Sequence, residues 1–294
     1  MTDYSSPRVV IRPALPRDEA DVAEFTKFIW DGHDYVGEVF PHWLKDPQGQ
    51  LFAVEYAGHC VGTAKVSLVA PGQWRLEGFR VDLKFQDMKI GSRLDAACNE
   101  WWDAHGDGIL RFLTSSKRTK VHHLSEARGF VRVGEVFGYE AEPLAEPTEA
   151  FTPLKPEEVD EAVAFCQRIA PNHWLGLGWK FLAPNPASLR ELADEGLAWW
   201  WRGRTGFLSA WEDDEDGASR LTVGLEACAG ESRVELLADF RRLASARGMV
   251  IAGWMNVVDG EMLQGLERAG YARKWEDSGF LYERGFPSQG ISSV

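Results

Sequence analysis

The sequence is poor in cysteine and has no long hydrophobic run, and each absence excludes a class of protein. Four cysteines in 294 residues, far apart and without a C-x-x-C pair, predict neither a disulfide framework nor a zinc-type metal site. No apolar run approaches the roughly 20 residues that span a membrane, and the polar N-terminus lacks the apolar segment of a signal peptide. We therefore expect a cytoplasmic protein with no metal and no membrane partner.

Basic residues are in the minority, with 32 lysines and arginines against 45 aspartates and glutamates, which gives a net charge of −13. Because such a surface repels a phosphate backbone, we expect no nucleic acid as a partner. Signatures of other enzyme classes are missing too, since neither an H-E-x-x-H motif nor a Ser-His-Asp order is present. The 13 tryptophans are more typical of core packing than of ligand stacking.

The length and the 45% hydrophobic content are enough for two domains, each with its own core. Prolines and glutamates, four of each, fall between positions 140 and 156 and predict a linker over residues 143–156. We therefore predict one domain at 1–142 and a second at 157–294.

Hydrophobic periodicity predicts the order of elements in the first domain. Leu94, Cys98 and Trp101 recur at helical spacing and mark the buried face of one helix. The predicted elements are, in order, antiparallel strands at 51–56, 60–69 and 74–81, a helix at 91–105, a strand at 109–114, and a short helix that ends at Gly129.

The turn between the third of these strands and the following helix carries the chemistry. A helix N-terminus offers unpaired backbone N–H groups and the positive end of the helix dipole, which together suit a pyrophosphate. Gly91 has no Cβ, so a phosphate can approach its backbone closely. Lys89 and Arg93 add positive charge in an otherwise acidic protein.

This segment resembles the acetyl-CoA-binding motif of the GCN5-related N-acetyltransferase (GNAT) superfamily, Q/R-x-x-G-x-G/A. Gln86 and Gly91 occupy its first and last positions, and Lys89 stands in place of its middle glycine. Residues 116–130 resemble the partner motif N-x-x-A-x-x-L-Y-x-x-x-G-F, with Arg118 in place of Asn and Ser125 in place of Tyr. The resemblance covers about residues 8–140.

The resemblance implies an α/β fold of two tandem GNAT-like domains, with mixed, mostly antiparallel sheets flanked by helices. The same order of elements recurs in the second half, where Glu-Arg-Ala-Gly-Tyr at 267–271 corresponds to Glu-Ala-Arg-Gly-Phe at 126–130. At that offset the loop falls on 227–232, where Glu231 would repel a phosphate. The second domain is thus predicted to be a degenerate copy that has lost the cofactor loop.

The resemblance also implies roles for individual residues, with acetyl-CoA as co-substrate and no metal. The backbone of β-strand residues would pair with the pantetheine arm, and loop amides would hold the pyrophosphate. The residues expected to bind the cofactor in these two ways are Phe79, Arg80, Val81, Gln86, Asp87, Met88, Lys89, Ile90, Gly91 and Ser92.

Two residues are candidates for catalysis. Glu77 is the candidate general base, directly or through a water, although it is equally well an ordinary carboxylate of a strand. Ser125 lies where the family commonly has a Tyr that protonates the leaving thiolate, and it would donate a hydrogen bond there, or solvent would supply the proton.

We therefore expect an N-acetyltransferase that transfers an acetyl or other acyl group from acetyl-CoA to a primary amine of a small molecule by direct attack. We expect it to be a monomer or a homodimer. The departures at Lys89, Arg118 and Ser125 keep a second hypothesis open, a non-catalytic CoA-binding or scaffold protein with a relic GNAT fold.

Overall fold

The computed structural model describes residues 8–29, 32, 34–215 and 217–286, without the side chains of 86, 87 and 215. The chain divides into two compact units. Unit 1 comprises Met1–Phe112 and Glu283–Val294, and unit 2 comprises Leu113–Tyr282. The boundaries of these units differ from the predicted domain bounds, which remain a prediction.

The strands are β1 (Val10–Pro13), β2 (Gly49–Tyr56), β3 (His59–Ala70), β4 (Gln73–Val81), β5 (Ile109–Ser115), β6 (Val131–Ala141), β7 (Phe151–Pro153), β8 (Leu175–Leu177), β9 (Lys180–Leu182), β10 (Ala198–Trp201), β11 (Gly206–Glu215), β12 (Ala218–Ala227), β13 (Ile251–Val257), β14 (Ala272–Arg273) and β15 (Gly279–Gly285). The α-helices are α1 (Glu19–Thr26), α2 (Val36–Trp43), α3 (Ile90–His105), α4 (Thr119–Ala127), α5 (Val159–Ile169), α6 (Pro186–Asp194), α7 (Arg233–Ala246) and α8 (Gly260–Arg268).

The sheet of unit 1 has the order β1-β2-β3-β4-β5. Strands β1 to β4 are antiparallel neighbours, which confirms the predicted meander, and β4 and β5 are parallel. The beginning of β5 also faces the end of β15, where Arg111 Nε and Glu283 Oε2 are 3.1 Å apart. Residues at the C-terminus therefore complete the first unit.

Helices cover both faces of this sheet, because β2 is apolar on both sides. Leu51 and Ala53 join the buried cluster formed with α1 and α2. Phe52 and Val54 alternate with them, so they point to the opposite face, and they are buried as well. Helix α3 packs on β2 and β3 and covers that second face.

The sheet of unit 2 has the order β15-β6-β13-β12-β11-β10-β7, with β14 also paired to β6, and β8 and β9 form a separate hairpin. Strands β12 and β13 are parallel. The antiparallel pairs are β7–β10, β10–β11, β11–β12, β13–β6 and β14–β6. Helix α5 packs against β11 and β12, and α7 packs against β13. Both units are thus mixed, mostly antiparallel α/β structures.

The structure contains several elements that the sequence patterns did not reveal. Residues 31–49, rich in aromatic and polar residues, were predicted to be irregular, and helix α2 lies within them. Strand β7 lies within the predicted linker, and α6 and the β8–β9 hairpin were not predicted. Within the described residues, every helix is too short or too polar for a membrane crossing.

Candidate active site

The candidate site of unit 1 begins at a bulge in β4. Thr63 is paired with Arg80 and Lys65 with Glu77, so β4 has one residue more than β3 between these pairs. Gly78 lies in the extra stretch with φ of 61°, and a Cβ there would overlap the ring of Trp43. The glycine is therefore required by both the backbone and the packing of α2 against the bulge.

Four polar side chains lie together beside the bulge, on the face of the sheet that α2 covers. Lys65 and Ser67 alternate on β3, and Arg75 and Glu77 are their cross-strand partners on β4. Ser67 Oγ donates to Glu77 Oε1 at 2.6 Å, and Arg75 Nη1 donates to Glu77 Oε2 at 2.6 Å. Both contacts are ones that an ionised carboxylate makes.

This group extends toward the segment that follows α2. Lys65 is buried, and its Nζ donates to Ser67 Oγ at 3.0 Å and to the carboxylate of Asp46. A hydrogen-bonded line therefore runs from Asp46 through Lys65 and Ser67 to Glu77. The carboxylate of Glu77, with a side chain only 8% exposed, is held in one place by this line and by Arg75.

A second cluster lies just ahead of α2 and against β4. The side chain of Asp34 is fully buried and binds Arg80 with both oxygens, at 2.6 and 3.1 Å. Tyr35 lies beneath this guanidinium, 5.9 Å from ring to cation, and edge-on to Trp43. Burial raises the pKa of the Tyr35 hydroxyl, and smaller effects come from Arg75, which lowers it, and Glu77, which raises it.

The predicted cofactor loop follows β4 directly. A 3-10 helix, Leu83–Met88, contains the backbone of Gln86, Asp87 and Met88 and is capped by the Asp82 carboxylate, which accepts from Lys84 N–H. The ring of Phe85 packs on Tyr56 at 5.5 Å and anchors this helix to β2. The side chains of Gln86 and Asp87 lie outside the described part of the structure.

Lys89 connects the 3-10 helix to α3 in a left-handed conformation, with φ of 55° and ψ of 22°. This is the position where the family motif has its middle glycine, and a left-handed backbone explains that preference. Lys89 adopts the conformation in spite of its side chain. The side chain is exposed, so its ammonium is available to an anion at the loop.

The first turn of α3 presents backbone amides. The first intrahelical bond runs from Arg93 N–H to Lys89 O at 3.2 Å, so the amides of Ile90, Gly91 and Ser92 precede it. Among the described residues, no acidic residue lies in this turn and no side chain caps it. Among the same residues, a Cβ on Gly91 would meet the Phe79 ring, at 3.8 Å.

At position 91, neither the backbone conformation nor the packing of the described residues of unit 1 requires a glycine. Close approach of a ligand to the α3 amides does require one, and a phosphate is the anion that suits such a helix terminus. Phe79 borders the same space, so the structure brings the predicted pantetheine and pyrophosphate residues together in unit 1.

Ser125, the second candidate for catalysis, lies on α4 in unit 2. It is buried, and its Oγ donates to Val121 O at 2.8 Å, a bond within its own helix. The helix ends as predicted at Gly129, with φ of 83°. A role for Ser125 as hydrogen-bond donor to a thiolate would require its hydroxyl to leave that bond, and this role remains a prediction.

The corresponding region of unit 2 is filled by the chain itself. The pairing of β12 with β13 ends at Val223 and Trp254, and beyond it the Asn256 amide donates to Gly224 O at 2.7 Å and to Trp174 O at 2.8 Å. The backbone of Gly176 lies so close to Gly224 that a Cβ there would overlap it. These contacts occupy the gap that an added pantetheine strand would need.

Residues 18–130 match the model of the Acetyltransferase (GNAT) family. This part of the chain is a GNAT domain.

Solved structures extend the likeness to the second half. A GCN5-related N-acetyltransferase from Sphaerobacter thermophilus is 17% identical, with 95% of this chain and 96% of that chain covered and a TM-score of 0.65. A tandem GNAT protein from the clavulanic acid biosynthesis pathway is 12% identical, with 94% and 98% covered and a TM-score of 0.58. No curated protein matches by sequence. The fold of the chain is therefore similar to these GNAT structures over nearly its whole length, and a degenerate second copy remains a prediction.

Several residues of the site were missed by sequence reasoning. Asp34 and Tyr35 lie in the stretch predicted to be irregular, and Lys65 and Ser67 carry no motif. A signal for the latter pair was present, because polar residues that alternate on a strand in an apolar meander are candidates for a buried polar network.

Proposed function

We propose that this GNAT protein transfers an acyl group, most simply acetyl, from acetyl-CoA to a primary amine of a small molecule. The observation that carries the proposal is Gly91, whose missing Cβ would let a ligand approach the α3 amides and is not required by the packing of the described residues of unit 1. When bound, acetyl-CoA supplies the acyl group as a thioester.

The residues of unit 1 would hold the cofactor at two places. The amides from Gln86 to Ser92 and the Lys89 ammonium would bind the pyrophosphate, with the helix dipole favouring its charge. The backbone of Phe79, Arg80 and Val81 would hold the pantetheine arm, since the recorded pairing of β4 with β5 ends at Arg75.

Glu77 would accept the proton that the attacking amine loses. Its carboxylate accepts hydrogen bonds from Ser67 and Arg75, and it retains lone pairs for the substrate amine or a bridging water. Tyr35 and Trp43 would supply apolar walls beside it. The proton for the departing thiolate would come from solvent or from Ser125.

We propose the cytoplasm as the compartment, supported by four cysteines that are all free and buried. The protein would act as a monomer or homodimer and without a nucleic-acid or membrane partner.

Calorimetric titration with acetyl-CoA, beside the Gly91→Glu variant, tests the proposal. We expect one-site micromolar binding in the parent chain and none in the variant, whose carboxylate would fill the space and repel the phosphate. Turnover is then measured with pooled small amines. Binding with no turnover on any amine would favour the non-catalytic CoA-binding protein, and no binding would reject both.

A further inference from the structure

Unit 2 contains a cavity of about 330 Å³ that is separate from the GNAT site of unit 1. Its floor is one face of β6, β11, β12 and β13, and its walls come from the β8–β9 turn and from the segment after β14. This volume lies within the range of small-molecule sites, about 300–1,000 Å³.

The walls of the cavity are aromatic. The rings of Trp179 and Trp275 stack at 5.3 Å with an angle of 16° between them. Trp275 lies flat on the sheet at Gly138, where a Cβ would come within 2.9 Å of the ring. Trp179 is 50% exposed at the hairpin turn, so part of its indole surface is open to a ligand.

The charges on the floor are matched in pairs. Arg220 binds Asp213 at 2.7 Å and Glu140 at 2.9 Å, and Lys274 binds Glu140 at 3.1 Å. Two cations thus neutralise two carboxylates, and Asp214 adds one exposed carboxylate at the rim. The cavity therefore has no large excess charge of either sign that could balance a highly charged ligand.

Two uncharged polar groups on the cavity face have no hydrogen-bond partner within the described part of the chain, the Trp211 indole N–H and the Thr222 hydroxyl. Trp211 and Thr222 are paired across β11 and β12, so their side chains lie on the same face of the sheet. Thr222 is 2% exposed, and its hydroxyl takes the space that Gly253 leaves free. Buried donors without partners are unfavourable, so these two groups point to a bound acceptor.

We propose that this cavity binds a polyhydroxylated ring compound of the saccharide type. Such a ring has an apolar face of C–H groups, which fits the Trp179–Trp275 wall, and a rim of hydroxyls that both donate and accept. The hydroxyls would accept from the Trp211 indole N–H and the Thr222 hydroxyl and donate to the carboxylates of the floor. A wholly apolar ligand would leave the donors unpaired, and a simple cation would compete with Arg220 and Lys274 for the same carboxylates.

Titration of the full chain with glucose, glucosamine and myo-inositol, followed by calorimetry and by tryptophan fluorescence, tests the proposal. Tetramethylammonium and cyclohexanol represent a cation and an apolar ligand. We expect saturable binding of at least one polyhydroxylated compound with a Kd at or below about 1 mM, and weaker or no binding of the other two probes.

The variants Trp179→Ala and Thr222→Val connect binding to this cavity. We expect the affinity to fall about tenfold for Trp179→Ala, as for the loss of one full aromatic contact, and about fivefold for Thr222→Val. Val250→Ala, at a 57% exposed residue of unit 2 outside the cavity, is the control and should bind as the parent does.

Three results would overturn the proposal: no saturable binding by any polyhydroxylated compound, binding that neither variant weakens, or stronger binding of tetramethylammonium or cyclohexanol that depends on Trp179. Because Trp179 is half-exposed on a turn, its variant is expected to fold even if Thr222→Val does not.

Discussion

Ser67 Oγ lies 2.6 Å from Glu77 Oε1 and donates to it, while Lys65 donates in turn to Ser67. Lys65 also donates to Asp46, so the line has a carboxylate at each end. Glu77 is the end that lies on β4 beside the bulge, and it is the candidate to receive a proton from a substrate.

Replacing Glu77 by Gln removes the acceptor of that proton and keeps the shape of the side chain. We expect kcat to fall by about 100-fold or more while the Kd for acetyl-CoA stays unchanged. Thiol release and calorimetry measure the two quantities. Glu24→Gln, at an exposed residue of α1, is the control. An unchanged kcat would exclude Glu77 as the base.

The variant Gly91→Ala separates the effect of a side chain on acetyl-CoA binding from its effect on the stability of the fold. Because a Cβ there meets, among the described residues, the Phe79 ring at 3.8 Å, we expect the free energy of unfolding to stay equal or to rise by up to about 1 kcal/mol. Affinity for acetyl-CoA should fall by about tenfold, or 1.4 kcal/mol. Urea denaturation and calorimetry provide the two readouts.

Gly78→Ala is the contrasting variant. Its φ of 61° and the Trp43 ring both oppose a side chain, so we expect it to lose at least about 1 kcal/mol of stability. Equal stability of the two alanine variants would contradict this account of the glycines.

Lys89 allows the cost of its left-handed backbone to be measured. Lys89→Ala removes the ammonium and keeps a Cβ, whereas Lys89→Gly removes both. We expect Lys89→Gly to be more stable than Lys89→Ala by about 1 kcal/mol, measured by urea denaturation. If Lys89→Ala is the more stable of the two, the left-handed conformation at this position is wrong.

The parts of the fold and site that could be predicted are those determined by local sequence. The alternation along β2 to β4, the periodicity of α3 and the glycine at its first turn all act over a few residues. They were enough to predict the meander and the position of the loop, and the comparisons confirm the GNAT fold.

The remaining parts depend on contacts between distant residues. Asp34 and Arg80 are 46 positions apart, and Arg111 and Glu283 are 172 apart, so no local pattern links them. Helix α2 was missed because Pro41 lies inside it, and proline normally ends a helix. Helix α2 buries Val36 and Phe40 in the core of unit 1, and this burial outweighs the tendency of proline to end a helix.

The last prediction concerns acid stability and rests on Asp18, which is 2% exposed. Burial alone would raise the pKa of its carboxyl, but two hydrogen bonds of 2.7 Å from Arg12 and one from the Leu15 N–H lower it below its ordinary value. A lowered pKa in the folded state means that this carboxylate stabilises the fold fully above its unfolded pKa of about 3.9. The stabilisation is lost as the pH falls from there through the folded-state pKa.

We therefore expect Asp18→Asn to lower the free energy of unfolding near pH 7 by roughly 1–2 kcal/mol, because it removes the charge-assisted hydrogen bonds from Arg12, which keeps its ion pair with Glu55 at 2.8 Å. We also expect the variant to lose less stability than the parent as the pH falls below about 4. Urea denaturation at neutral and acidic pH measures both effects. Glu24→Gln, which breaks an exposed pair with Lys27, should change stability little at either end. If Asp18→Asn and the parent lose the same free energy of unfolding as the pH falls, other carboxylates control the acid transition.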